Sequence, residues 1–365
     1  MKKAKFISII LVFCILIGGA SLWLFAKEDG EISDWERRKL QQFPEITFER
    51  VIDGKFMKEF VTYMTDQFPL RNEFRRLKAN VLFKIYNQKD NGGIYIQDGS
   101  ASKIDASINQ GSVNHFIGRM DNIYNSYLKD SDCKVYFTAV PDKNYFLAEK
   151  GGYPAMNYDE LYRVLGERLS YMNNIDIREL LEADDYYTTD THWKQEKIVD
   201  VANEIRSQMG MKSVTDYEEK ALGDFYGVYY GQSALPLDPD TIGYLTNEEI
   251  ESCTVYNFEK NTTTDVYDLI KYEEALDSYD IFLSGAVSLL EITNPKGDKN
   301  KELVIFRDSF GSSVAPLLLS GYSKITLIDI RYIASDMVSQ FVDFTNQDVL
   351  VLYSTMMINS SLTLK

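Results

Sequence analysis

Leu303-Val304-Ile305-Phe306-Arg307-Asp308-Ser309-Phe310-Gly311-Ser312-Ser313 opens as four apolar residues, turns charged and then polar, and leads into a helix-like segment from Val314 to Leu319. A short apolar run without alternation predicts a strand buried on both faces. Three further runs share this form: Val135–Val140, which stops at Pro141, Ile325–Ile328 and Val349–Leu352. Helical patterns lie among them, from about Asp159 to Met172 and from Trp193 to Met209, the latter with Ile198, Val201, Ala202 and Ile205 on one face. Buried strands separated by helices predict an α/β domain, a mainly parallel sheet with helices on both faces. Ligands of such sheets bind beyond the carboxyl ends of the strands. Ser309 falls at that edge, at a strand-to-helix turn.

Outward from this stretch, the domain is expected over residues 91–365. Asn91-Gly92-Gly93 marks a turn at its start, and Ile94–Ile96 a short strand after it. Residues from about 214 to 285 break the strand–helix rhythm; they are rich in Tyr, Gly and Asp and read as an insertion. Residues 28–90 predict a helical stalk or collar, amphipathic around Phe56, Phe60, Tyr63 and Met64, with Pro44 and Pro69 at helix boundaries. Residues 1–27 predict a transmembrane anchor. Phe6 to Ala26 carries no charge, and a helix of that length spans about 30 Å, the thickness of a bilayer core. Lys2, Lys3 and Lys5 precede the run, which keeps that flank in the cytoplasm and places the rest of a single-pass protein outside it. A cleaved signal peptide is the rival reading, and it places the domain in the same compartment.

The charge balance narrows the function. The 365 residues hold 39 basic and 55 acidic side chains, a net charge of −16. So acidic a chain is repelled by phosphate backbones, which argues against nucleic-acid binding. Of three cysteines, Cys14 lies in the apolar run; Cys133 and Cys253 could pair in an oxidising compartment or stand as separate buried thiols.

Only two histidines are present. His115 lies in a helical pattern and reads as an ordinary helix residue. His192 lies in Thr189-Asp190-Thr191-His192-Trp193-Lys194. In a turn, a carboxylate two residues before an imidazole can accept its Nδ1–H and leave Nε2 free as a base. The alternative is that Asp190 merely caps a helix starting near Trp193. Ser309 faces the same choice, between nucleophile and helix cap. Taken together, Asp190, His192 and Ser309 supply orienter, base and nucleophile. One such histidine among scattered carboxylates does not make a zinc site, so no metal is expected.

Thr189-Asp190-Thr191-His192-Trp193 resembles the Asp-His-His-Trp signature of the DHHW proteins, which are similar to the alginate O-acetylation proteins and carry an SGNH-hydrolase-like domain. Further blocks follow in family order: Trp35-Glu36-Arg37-Arg38-Lys39-Leu40 with Phe43-Pro44, Asp66-Gln67-Phe68-Pro69-Leu70-Arg71, Val140-Pro141-Asp142-Lys143-Asn144-Tyr145, Asp308-Ser309-Phe310 through Pro316-Leu317, and Ile328-Asp329-Ile330-Arg331-Tyr332. The resemblance implies an SGNH-like fold and a Ser309–His192–Asp190 catalytic set. The implied chemistry is acetyl transfer to or from hydroxyls of an extracellular polysaccharide, with no cofactor. It also implies a multi-spanning membrane acyltransferase as acyl donor. Lys143, Trp193, Arg331 and Tyr332 are candidates for substrate contact, each with a structural role as the alternative. Three departures stand out. Thr191 replaces the first signature His, Arg307 replaces a Gly before Asp-Ser, and Gly285 is followed by Ala286 where the oxyanion set would call for an Asn, for which Asn144 is a distant stand-in. The expected oxyanion donors are the backbone N–H groups after Ser309. Against the acyltransferase or esterase stands a non-catalytic polysaccharide-binding or scaffold protein. Tyr226, Tyr229 and Tyr230 could line a glycan groove or pack as ordinary strand residues.

Overall fold

The four apolar runs lie side by side in one sheet. The computed structural model describes residues 2–33 and 35–365; Met1 of the expected anchor, and the side chains of Lys2 and Lys3 in its positive flank, lie outside the described residues. The sheet's strands are β1 (Lys134–Val140), β2 (Asn173–Asn174), β3 (Thr254–Asn257), β4 (Thr262–Thr264), β5 (Leu289–Thr293), β6 (Asp298–Arg307), β7 (Tyr322–Ile328) and β8 (Asp348–Ser354). Their order is β4-β3-β5-β7-β6-β8-β1-β2. From β7 to β2 every pairing is parallel, with Ile305 of β6 in register with Leu327 and Leu350. Strands β5, β3 and β4 extend the sheet with antiparallel pairings. Two of these, β3 and β4, come from the 214–285 stretch, which also forms a hairpin of Glu218–Phe225 with Asp240–Thr246.

The continuous apolar pattern of β6 has a direct cause. Leu303 and Ile305 face one core cluster, with Val201, Ala202 and Ile205 of the helix Val199–Gln208. Val304 and Phe306 face the other, with Phe116 and Met120 of the helix Gln110–Ile123 and Leu161 and Leu165 of Tyr158–Arg168. Each such side chain taken fully out of water contributes roughly 1.5–3 kcal/mol. The sheet is therefore mainly parallel with helices on both faces, as the sequence predicts.

Two helices differ from expectation. The one expected from Trp193 begins only at Val199. Trp193 is extended and bridges Tyr186, and the Lys194 N–H bonds the Asp185 carbonyl at 2.7 Å. After Ser309, an α-helix covers only Phe310–Val314, and Ala315–Leu318 tightens into a 3-10 turn. Pro316 has no N–H to continue the α-helical ladder.

Chain packing divides the protein into two compact units. The first runs to Gly92 and includes Tyr230–Pro236; the second holds Gly93–Tyr229 and Leu237–Lys365. The first contains the N-terminal helix, which over Lys5–Ala26 is long and apolar enough to cross a membrane. Its two Phe-Pro blocks interlock: Arg38 grips Asp66 at 2.8 and 2.6 Å, Arg71 meets Glu36 at 2.5 Å, and Gln67 bonds both the N–H and the carbonyl of Gly30 at 2.9 Å. Cys14, Cys133 and Cys253 are all free thiols, exposed, half-buried and buried in that order.

Candidate active site

Ser309 sits half-buried just past the carboxyl end of β6, at the N-cap of Phe310–Val314. Its hydroxyl makes no capping bond. The turn is held by Asp308, which is buried. One oxygen of Asp308 accepts the Phe310 N–H at 3.0 Å, and the other accepts the N–H and the hydroxyl of Ser354, the last residue of β8, at 2.8 and 2.7 Å. Gly311 is required here, because a Cβ would lie 2.6 Å from Cβ of Arg307.

The loop carrying Asp190 and His192 lies within hydrogen-bonding reach of Ser309. His192 Nε2 is 2.7 Å from Ser309 Oγ, and His192 Nδ1 is 2.6 Å from Asp190 Oδ1. Asp190 is wholly enclosed. Its Oδ1 also accepts the His192 backbone N–H at 3.0 Å, and Oδ2 accepts the Val228 N–H at 2.7 Å. Because no helix starts at Trp193, capping is not its role. The imidazole stacks on Tyr279, with ring centroids 3.9 Å apart and planes at 9°. Tyr279 donates to Ser313 Oγ at 2.7 Å, as does Trp193 Nε1 at 2.8 Å. The imidazole is thus fixed along its ring plane by Asp190 and across it by Tyr279. Gly227 closes on the loop so tightly that a Cβ would lie 2.3 Å from the Thr189 carbonyl. Asp308, Tyr279, Gly227 and Val228 were not singled out as site residues from the sequence. The glycine within the aromatic run Phe225–Tyr230 is the one local signal that could have drawn attention there.

The expected oxyanion donors are not free. The Phe310 N–H is held by Asp308 Oδ1, the Gly311 N–H by the Asp308 carbonyl at 3.1 Å, and the Ser312 N–H by the Ser309 carbonyl at 3.1 Å. Asn144 is buried elsewhere; its amide nitrogen reaches the carbonyls of Asp105 and Pro154, and its oxygen accepts the Tyr95 hydroxyl. Arg307 does not face substrate. It is fully enclosed, bonding Ser312 Oγ at 3.0 Å and standing 4.0 Å from Asp329.

The substrate-contact candidates divide. Lys143 and Trp193 are enclosed and bonded to protein groups, so neither presents a polar atom to a polysaccharide. Arg331 is mostly covered and pairs with Asp329 at 2.9 and 2.5 Å. Tyr332 is 48% exposed, under the Arg331 guanidinium at 5.3 Å. Both follow β7, the parallel neighbour of β6, and so leave the sheet at the same edge as Ser309. Of the three tyrosines, Tyr226 is exposed and Tyr229 and Tyr230 are buried, the last two in the helix Val228–Ser233 rather than a strand. His115 bonds the Leu364 carbonyl at 3.0 Å, a structural contact.

Sheet order and helix cover make this a mainly parallel α/β domain with helices on both faces. Residues 156–328 match the family model described as DHHW protein. The fold is similar to that of a DHHW family protein from Eubacterium siraeum, with 22% identity, a TM-score of 0.58, and coverage of 73% of this chain and 91% of that one. It is also similar to Bacillus cereus PatB1, solved with a sulfonyl adduct, at 17% identity, a TM-score of 0.58, and coverage of 73% and 95%. The O-acetyltransferase domain of Pseudomonas putida AlgJ aligns over 73% of this chain and 92% of its own, with 11% identity and a TM-score of 0.44. Among curated proteins none matches.

Proposed function

We propose that this protein is a membrane-anchored, extracytoplasmic serine acyltransferase or esterase that moves acetyl groups to or from polysaccharide hydroxyls. The observation that carries the reading is the unbroken chain of contacts from Asp190 through His192 to Ser309. In the proposed reaction, Ser309 Oγ bonds to the acetyl carbonyl carbon while its proton passes to His192 Nε2. Asp190 stabilises the imidazolium, and the donor oxygen leaves with that proton. A sugar hydroxyl, or water, then gives its proton to His192 and takes the acetyl group, and Ser309 Oγ leaves as the hydroxyl with that proton. Exclusion of water decides between transfer and hydrolysis. The N-terminal helix would hold the domain outside the membrane, and a multi-spanning membrane acyltransferase would supply the acetyl group. Tyr332, Tyr226 and Arg331 are the proposed acceptor contacts.

The test is acetate release and transfer from a chromogenic acetyl ester, with and without an oligosaccharide acceptor, using the full chain in detergent. Turnover is expected for the wild type and none above background for Ser309→Ala; equal rates would refute the serine mechanism. One observation favours a second reading, a polysaccharide-binding or scaffold protein without turnover: the amides after Ser309 are already bonded within the turn. Oligosaccharide binding by a wild type that leaves the ester intact would support it.

A further inference from the structure

Lys143 begins the helix Lys143–Gly151 beyond the carboxyl end of β1 and is 2% exposed. Its ammonium donates to the carbonyls of Tyr187 at 2.7 Å and Thr188 at 3.3 Å and to Ser100 Oγ at 3.4 Å, and lies 5.2 Å from the Tyr229 ring centroid. Asp240 holds the same two peptide groups by their other ends. Its carboxylate accepts the N–H of Thr188 at 2.7 Å and of Thr189 at 2.8 Å, and both threonine hydroxyls, at 2.8 and 2.5 Å. The C=O and N–H of a trans peptide point in opposite directions. Peptide 187–188 therefore has its oxygen on a cation and its N–H on an anion, and so has peptide 188–189, whose oxygen also takes the Ala101 N–H at 2.8 Å.

We infer that Lys143 and Asp240 are a positioning pair, an ion pair acting through two peptide groups that fixes the loop presenting Asp190 to His192. This rests on the proposed catalytic reading. Burying an ammonium or a carboxylate is costly unless each is compensated. Burial pulls the Lys143 ammonium down to about 7, against the opposing pull of Asp190 and Asp240. The next residue after the second clamped peptide is Asp190. With its neighbours Gly227–Tyr229 on the far side, the loop has no slack: the Thr189 carbonyl takes the Tyr229 N–H at 3.0 Å and Thr189 Oγ1 the Gly227 N–H at 2.9 Å. Lys143→Met keeps the aliphatic stem and removes the ammonium, leaving Asp240 with the donors of Thr188 and Thr189 but no cation on the far side of their peptides.

The readout is covalent labelling of Ser309 by phenylmethanesulfonyl fluoride, followed by mass spectrometry on the full chain in detergent. Varying reagent concentration separates KI from kinact. Lys143→Met and Asp240→Asn are each expected to lower kinact by about 10- to 100-fold, since a misplacement of about 1 Å is worth that much, with KI unchanged. The double variant should lose no more than the worse single one, because either change breaks the same bridge. Unchanged kinact in folded Lys143→Met, a change confined to KI, or losses that multiply in the double variant would each overturn the inference while leaving the nucleophile standing. A wild type unlabelled at Ser309 would instead defeat the catalytic reading beneath it. Should Lys143→Met not fold, Asp240→Asn decides alone, since it leaves Lys143 in place and cuts the other end of the bridge.

Discussion

The Ser309 turn and the Asp190–His192 loop meet at one hydrogen bond, yet they are built on different scales. Around Ser309 much of the scaffold is local: Asp308 holds Phe310, and Arg307 underlies Gly311 and reaches Ser312, while Ser354, Trp193 and Tyr279 reach the turn from elsewhere in the chain. Around Asp190 almost nothing is local except His192. Val228 lies 38 positions away, and Lys143 and Asp240 hold the preceding residues from separations of 44 to 52 positions. A turn secured by its own neighbours declares itself in a short sequence. A loop secured by distant partners acquires its shape only once the whole domain has assembled. The loop is therefore where substitutions far from Ser309 should reach the chemistry.

The sharpest way to break this contrast is Asp190→Asn. The side chain keeps its size, but only one of its two polar atoms can still accept. If the amide oxygen faces His192, the NH2 opposes the Val228 N–H; if it turns, the NH2 opposes both His192 donors and forces the wrong tautomer. The expected loss is about 10⁴-fold in the labelling or turnover rate, the scale found when a triad orienter is neutralised. A loss under tenfold would mean that the loop does not depend on this carboxylate.

Asp308→Asn probes the local half. An amide in place of this carboxylate leaves either the Phe310 N–H or the Ser354 donors facing an NH2 group. Unpaired buried donors cost about 1–3 kcal/mol each, so the expected result is a lower melting temperature and a rate reduced by roughly 10- to 100-fold through misplacement of Ser309. Because Asp308 acts on Ser309 only through the turn, whereas Asp190 holds the imidazole directly, the effect should be smaller than that of Asp190→Asn. The reverse order, measured by the same assay, would invert the comparison.

This difference in scale also explains what was legible in the sequence. Strands β1, β6, β7 and β8 follow from apolar runs alone, because burial on both faces leaves no other pattern. Ser309 at a strand-to-helix turn follows from the polar residues that end one such run, and the Asp190–His192 spacing is itself a local signal. What long-range partners decide was not legible. Trp193 falls in a helical pattern, but its chain is held extended against Tyr186 and Asp185, so the helix starts six residues later. Lys143, in one of the blocks that carry the family resemblance, reads as a candidate substrate contact until the fold encloses it. The amides after Ser309 look free until Asp308 is seen to occupy one with its side chain and another with its carbonyl.

The collar extends the comparison to the other unit and supplies the smallest expected effect on chemistry. Residues 28–90 hold twelve acidic and twelve basic side chains, and their ion pairs stand beside the packed rings of Phe43, Phe56, Phe60 and Tyr63, whereas the contacts of the sheet are apolar. Arg38, then the Gln41 N–H, holds the Asp66 carboxyl below its ordinary value against the cost of burial. Burial works to raise the Glu36 carboxyl, but Arg71, Arg75 and Arg38 outweigh it and hold it low as well. A carboxyl depressed in the folded state contributes stability above its unfolded pKa, near 4, and loses that contribution as pH falls through the folded value. The contribution is modest, since Arg38 is 39% exposed and solvent screens the pairs. Hydrogen exchange on the full chain, corrected for its intrinsic pH dependence, should show residues 30–75 losing protection as pH falls below about 4. Peptides covering β1, β6 and β8 should keep theirs at that pH, because their stability lies in Val135, Phe137, Ile305, Phe306, Leu350 and Val351, none of which titrates. Loss of protection in both units at one pH would mean that the collar is held by more than its charges, and that the division into a charge-built and an apolar-built region is wrong.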